Sequence, residues 1–204
     1  MIKPYKISVP KSTLNNIYKK VRAYPWNMMQ NVNGWEYGTN YNYLKKISQY
    51  WVSKYNWRKF ENKINSFKNY RTNVDGINLH FIVEKSKNLK SRPLLLLHGW
   101  PGSVIEFFDI IPKLAHPEEY GGKIEDGFDV IVPSLPGFGF STPIKKALGP
   151  RRIGKILNKF MVKNLGYKNY IVQGGDWGAT IAAWIGLDSA KNCKAIHINC
   201  LPIR

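Results

Sequence analysis

The sequence predicts an α/β fold in which a helical N-terminal region precedes a mostly parallel sheet. Three observations carry this. Residues 11–67 show apolar positions at helical spacing and no strand alternation. Residues 93–97, Pro-Leu-Leu-Leu-Leu, are continuously apolar, as a strand covered on both faces must be. From there onward strand-like and helix-like stretches alternate, the pattern of parallel strands joined by crossover helices.

The elements follow in order. Residues 11–23 carry Leu14, Ile17 and Val21 between polar residues and read as an amphipathic helix, with Ser12 and Thr13 as candidate N-caps. Pro25-Trp26 and Asn31-Val32-Asn33-Gly34 read as loop. Residues 40–55 place Tyr43, Leu44, Ile47, Tyr50, Trp51 and Tyr55 near 3.6 spacing, and residues 57–67 read as a third helix. Tyr70-Arg71-Thr72, a turn at Val74-Asp75-Gly76 and the run from Ile77 to Val83 make a hairpin, because Asp-Gly suits a tight turn between strands. His80 lies in that run and reads as a strand residue, since no partner at metal-ligand spacing accompanies it. Residues 85–92 are a polar loop. Helices are expected at 103–114, strained at its end by Pro112, at 154–165 after Gly149-Pro150, and at 179–187. Strands are expected at 93–97, 129–133, 170–172 and 194–199. Residues 1–92 then form a helical region plus the first hairpin of the sheet, and residues 93–204 the α/β core.

Composition excludes several classes. The chain is 44% hydrophobic and 14% aromatic over 204 residues, enough for a packed core. Its first residues, Met1-Ile2-Lys3-Pro4-Tyr5-Lys6, lead into no apolar signal-peptide core, and no apolar run has the length of a membrane span. Cys193 and Cys200 lack metal or redox spacing and read as reduced core residues. A cytoplasmic, soluble protein is expected. The net charge of +18 raises nucleic acid as a partner. However, residues 1–92 hold 18 basic residues against 4 acidic, the remainder 13 against 9, and only 7 of the 31 basic residues are Arg. Base readout and phosphate forks favour Arg, so the lysines read as a solvated surface with neither nucleic acid nor membrane as partner.

The chemistry concentrates in Gln173-Gly174-Gly175-Asp176-Trp177-Gly178. A strand-like run enters this segment and a helix-like run leaves it, with glycines two before and two after the central residue. That spacing defines the nucleophile elbow of α/β-hydrolases, a strained turn whose flanks leave no room for side chains. Asp176 stands where an esterase would carry Ser. A carboxylate attacking an sp3 carbon leaves an ester that water can cleave, whereas a serine would leave an inert ether. The Asp therefore points to epoxide opening or halide displacement. Taken alone, Asp176 could equally be an N-cap of the following helix.

Two further motifs decide between these. His98-Gly99-Trp100-Pro101 follows the apolar strand directly, at the loop that supplies one oxyanion-hole amide in such folds; the residue after the nucleophile supplies the other. Those amides belong to Trp100 and Trp177, and a cis Trp100-Pro101 bond would aim the first inward. Pro136-Gly137-Phe138-Gly139-Phe140-Ser141 follows the next strand. Thr142 occupies the position of the last glycine of a dinucleotide fingerprint, so no nucleotide cofactor is implied, and the glycines suit a loop passing the mouth of a site.

The three motifs stand in the order and register of epoxide hydrolases of the α/β-hydrolase superfamily, which the chain resembles. Lys6-Ile7-Ser8-Val9-Pro10, Gly34-Trp35-Glu36-Tyr37-Gly38-Thr39 and Tyr50-Trp51 resemble the N-terminal domain of the microsomal and juvenile-hormone branch. The resemblance implies Asp176 as alkylating nucleophile, the Trp100 and Trp177 amides as oxyanion hole, His98, Gly99, Pro101, Gly174, Gly175 and Gly178 as the structural motif, a small epoxide as substrate, water as co-substrate, and no cofactor or metal. It also implies a water-activating His, an acid and two lid tyrosines downstream of the elbow. After Asp176 the chain offers only His197, in a strand, and Asp188, at a helix end; no tyrosine follows Tyr170. The chain is therefore expected to stop within the catalytic domain, with strand 194–199 as an exposed parallel edge and marginal stability. A haloalkane dehalogenase, which pairs an Asp elbow with Trp, is the alternative enzyme. A catalytically dead fragment or binding module is the alternative of another class.

Overall fold

The computed structural model describes residues 1–30 and 34–200. The expected loop at Asn31-Val32-Asn33 lies outside the described residues. A short strand β1 (Lys3–Pro4) precedes helices α1 (Lys11–Arg22), α2 (Tyr41–Ser53) and α3 (Trp57–Asn65). Strands β2 (Asn69–Val74), β3 (Ile77–Glu84) and β4 (Arg92–Leu97) follow, then a short helix α4 (Ile111–Ala115) and strand β5 (Phe128–Pro133). Helix α5 (Pro150–Lys159), strand β6 (Tyr170–Gly175), helix α6 (Trp177–Asp188) and strand β7 (Cys193–Asn199) complete the order. The chain divides into two compact units, Ile7–Ile64 and the remainder.

In the Ile7–Ile64 unit, α1 and α2 form as their periodicity predicts, but their caps differ. The N-cap position of α1 is Pro10, without a side-chain bond, so Ser12 and Thr13 sit inside the first turn and cap nothing. Asn40 does cap α2, its Oδ1 accepting from the Tyr43 amide at 3.0 Å. Trp26–Met28 coils into a 3-10 turn where loop was expected, with the Trp26 ring tilted against Tyr24 and edge-on to Tyr41. Glu61 anchors the unit. Its Oε1 accepts from the Val9 amide at 2.6 Å and from the Trp57 indole at 3.1 Å, while Arg58 pairs with its other oxygen and donates to the Val9 carbonyl. These bonds satisfy a buried carboxylate that would otherwise be costly.

The second unit is built on a seven-stranded sheet of order β1-β2-β3-β5-β4-β6-β7. Its β1–β2, β2–β3 and β3–β5 pairs are antiparallel, and its β5–β4, β4–β6 and β6–β7 pairs are parallel. The sheet is thus mixed, not mostly parallel as expected, because the Asp75-Gly76 hairpin and β1 extend its N-terminal side by antiparallel pairing. Leu95 and Leu97 of β4 join Ile131, Val172, Ile156, Leu157, Phe160, Ile181 and Ile185 in the core under α5 and α6. Leu94 and Leu96 point the opposite way and are buried too. Burial on both faces is why β4 reads as an unbroken apolar run.

Three other expectations change. Residues 103–114 do not form one helix: a 3-10 turn (Val104–Phe107) and α4 are separate, and Pro112 opens α4 instead of straining an end. A proline lacks the N–H that a helix interior needs, but the first turn tolerates it. For the same reason α5 begins at Pro150, before the expected residue 154, and it continues as a π-type turn from Phe160 to Asn164. Cys193 is buried, whereas Cys200 is exposed and is not a core residue. β7 is the edge strand on the parallel side of the sheet among the described residues, largely exposed from Lys194 to His197. No helix among the described residues is long and apolar enough to cross a membrane.

Candidate active site

The register of the central strands brings the motifs together. β4 and β6 are parallel neighbours, with Leu97 opposite Gly174. The two strands therefore finish level, and the loops leaving them, His98-Gly99-Trp100-Pro101 and Gly175-Asp176-Trp177, lie side by side. Strand order reverses at β4, with β5 on one flank and β6 on the other, which is where open α/β sheets place their ligand crevices.

Asp176 adopts φ +50° and ψ −122°, a conformation non-glycine residues avoid. Close packing holds it there. A Cβ on Gly174 would overlap the Gly178 carbonyl, and one on Gly178 would overlap the Leu97 carbonyl. Both flanks of the elbow are thus excluded to side chains by backbone. A Cβ on Gly99 would come within 2.6 Å of the Asp176 Cβ, so the His98–Pro101 loop must be bare there too. Gly175 faces the Asn199 side chain more loosely, at 3.1 Å.

The Asp176 carboxylate does not act as a plain helix cap. It makes no capping bond, and its Oδ1 instead accepts from the Trp100 amide at 2.8 Å, 76 residues away. The Trp100 amide first, and the Trp177 amide second, hold its pKa below the ordinary carboxylate value against a smaller opposing effect of burial. Its place at the N-terminus of the twelve-residue α6 favours the anion further. The Trp100-Pro101 peptide is cis. Trp100 is 67% exposed and Trp177 40%, so their rings border an open site.

The histidines are accounted for without a base. Buried His98 packs edge-on to Phe138, and both of its ring nitrogens are engaged by backbone. Buried His80 is bonded to Ser134 and Asn69, consistent with its reading as a strand residue. His116 pairs with Glu84. His197 lies on β7 opposite Gln173 and, among the described residues, makes no hydrogen bond to Asp176. Asp188 is held by Arg151 through two bonds of 2.8 Å, a surface ion pair outside the site. Sequence reasoning missed Glu106, which accepts from the Ser103 amide at 3.1 Å and closes a capping box just after the His98–Pro101 loop. The Ser-x-x-Glu spacing was a legible signal for it. Leu135 stands at the head of the glycine-containing loop singled out from sequence, but the bond of its amide to His98 has no sequence signature.

An α/β-hydrolase fold with a carboxylate at its elbow, facing a backbone amide across the crevice, defines the class. Residues 2–107 match the family Epoxide hydrolase N terminus, and residues 92–202 match the alpha/beta hydrolase fold; the chain belongs to the epoxide hydrolase family. It is 35% identical over 203 residues to Epoxide hydrolase 1 of Sus scrofa and 36% identical over 202 residues to Juvenile hormone epoxide hydrolase 1 of Ctenocephalides felis. Each alignment covers 97% of this chain, but 44% and 43% of those proteins. A Stigmatella aurantiaca protein provisionally named an epoxide hydrolase is 43% identical over 199 residues, 97% of this chain and 45% of its own length. Among solved structures, the juvenile hormone epoxide hydrolase of Bombyx mori superposes with TM-score 0.86 at 32% identity, over 100% of this chain and 49% of that one. The Aspergillus niger epoxide hydrolase gives TM-score 0.82 at 30% identity, over 100% and 53%. The chain thus spans about half the length of the curated relatives it matches.

Proposed function

We propose that Asp176 opens epoxides by nucleophilic attack and that the Trp100 and Trp177 amides form the oxyanion hole. The observation that carries this is the 2.8 Å bond from the Trp100 amide to Asp176 Oδ1 across the crevice. A carboxylate oxygen attacks a ring carbon, the ring C–O bond breaks, and the released alkoxide takes a proton from solvent or an acid, leaving a hydroxyalkyl ester. Water then adds to the ester carbonyl. Negative charge develops on the oxygen that the Trp100 amide already addresses, and collapse breaks the acyl C–O bond, returning the carboxylate and releasing a vicinal diol. Only water is consumed, and no cofactor enters.

The second step needs a base that activates water, and among the described residues no histidine stands in contact with Asp176. The alkylation step is the one these residues are equipped to carry. The small-epoxide substrate class is supported by the names of its relatives. No particular epoxide is favoured by a residue of this chain. Mass spectrometry of the Asp176 peptide after incubation with styrene oxide tests it: a single addition is expected, absent from Asp176→Asn. An unmodified peptide from folded protein would sink the reading and leave a binding module. Halide release from a haloalkane with no epoxide adduct would favour the dehalogenase instead.

A further inference from the structure

Two buried histidines grip the same loop, residues 134–141, from opposite sides. From the hairpin side, His80 Nε2 donates to Asn69 Oδ1 at 2.9 Å, and its Nδ1 accepts from the Ser134 hydroxyl at 2.9 Å. The His80 amide donates to Ser141 Oγ at 2.9 Å, and the Ser141 hydroxyl donates to the Ser134 carbonyl at 2.7 Å. From the oxyanion side, the Leu135 amide donates to His98 Nε2 at 3.0 Å. A backbone amide can only donate, so Nε2 must present its lone pair and the proton must sit on Nδ1. Nδ1 lies 2.9 Å from the Gly99 carbonyl, which can only accept. One tautomer satisfies both contacts, and burial, which outweighs the Gly99 bond and the Glu106 charge, disfavours its protonation.

We propose that His98, fixed as the Nδ1–H tautomer, is a positioning residue. It ties the loop bearing the Trp100 amide to Leu135, and so to the sheet through Ser134, Ser141 and His80. The amide that addresses Asp176 is thus aimed by a continuous set of bonds reaching back to Asn69, and the Pro136–Ser141 loop anchors the oxyanion hole. This rests on the reading of Asp176 as nucleophile and the Trp100 amide as oxyanion donor. It assigns no proton transfer to His98.

The first test uses the unaltered protein. Nitrogen-15 spectra of its histidine rings should show His98 neutral with its proton on Nδ1; a proton on Nε2 overturns the proposal, whatever any variant does. The second test separates the two contacts. In His98→Gln the amide oxygen can replace Nε2 as acceptor for Leu135. In His98→Asn the shorter side chain reaches only toward Gly99. Asp176 is first converted to its ester with styrene oxide, and cleavage of that ester by hydroxylamine is timed, which removes any need for an internal base. Displacing an oxyanion donor typically costs at least about 10²-fold, so Asn should slow cleavage on that scale, and Gln should recover most of the rate. The Asp176 carboxyl should titrate higher in Asn than in Gln. Equal rates in Gln and Asn, or no loss in Asn, overturn the proposal. If even the unaltered protein forms no ester, the functional reading fails, while the tautomer and the Asp176 titration still decide the anchoring.

Discussion

The elbow and the helical unit are both rich in sequence signal, yet they are specified differently. Around Asp176 the constraints come from far away in the chain: Leu97 excludes side chains at 178, Trp100 bonds Asp176, and Leu135 bonds His98. In the helical unit the helices are set by local spacing, although Glu61 reaches Val9, 52 residues away, to anchor them. Heptad-like spacing forms α1 and α2, but the face they present is open, with Tyr50 53% and Trp51 42% exposed beside a cavity of about 400 Å³ lined by Leu14, Ile17 and Trp57. Periodicity decides that a helix forms and which face is apolar. It does not decide that the face is buried, and close backbone packing is what makes a site rigid.

Substitutions should therefore cost most at the elbow and least on the open helical face. The largest effect is expected for Gly178→Ala, whose methyl would enter the Leu97 carbonyl. A loss of about 4 kcal/mol or outright misfolding follows if backbone there cannot move; a thermal melt within 1 °C of the unaltered protein would show that the two loops can part. Next comes acid. Burial, aided by the nearby Arg71 charge, pushes the His80 pKa down to about 3 from 6.5. The native state thus keeps His80 neutral while the unfolded chain takes up a proton below pH 6.5. The stability it supports is complete above that pH and declines as pH falls toward 3, by about 2 kcal/mol between pH 6.5 and 5. Urea titrations at pH 7 and 5 should show that loss, and His80→Gln should reduce it by one proton's worth; an unchanged slope would mean His80 is not so buried.

A moderate effect is expected inside the helical unit. Glu61→Ala leaves the Val9 amide and the Trp57 indole without their acceptor, and about 1–3 kcal/mol should be lost. A loss as large as that of Gly178→Ala would erase the contrast drawn above. The smallest effect belongs to Tyr50→Gln. Half-exposed on α2, it should change stability by less than about 1 kcal/mol in denaturant unfolding. A larger loss would show that the open face is covered in solution, and concentration dependence of the melt would then identify a second copy as the cover.

Legibility followed the same divide. The Asp-Gly hairpin, the apolar β4 run and the elbow could be read because each is a local rule: a turn residue, a covered strand, glycines at fixed offsets. Pro112 and Pro150 both open helices, although from sequence the first reads as straining a helix end and the second as preceding a helix start, because the first helical turn tolerates a residue without an N–H. Cys200 was read as core from its residue type alone, but it sits past the edge strand at φ +61°, exposed.

By itself the sequence determined the α/β alternation and the helical unit, and it placed a single carboxylate between spaced glycines at the end of a strand. The tertiary structure alone decided that β4 and β6 finish level and that Asp176 bonds Trp100 instead of capping its helix. It also decided the tautomer of His98. The partners in these cases lie 77, 76 and 37 residues apart, and no local pattern of residues encodes the register that brings them together.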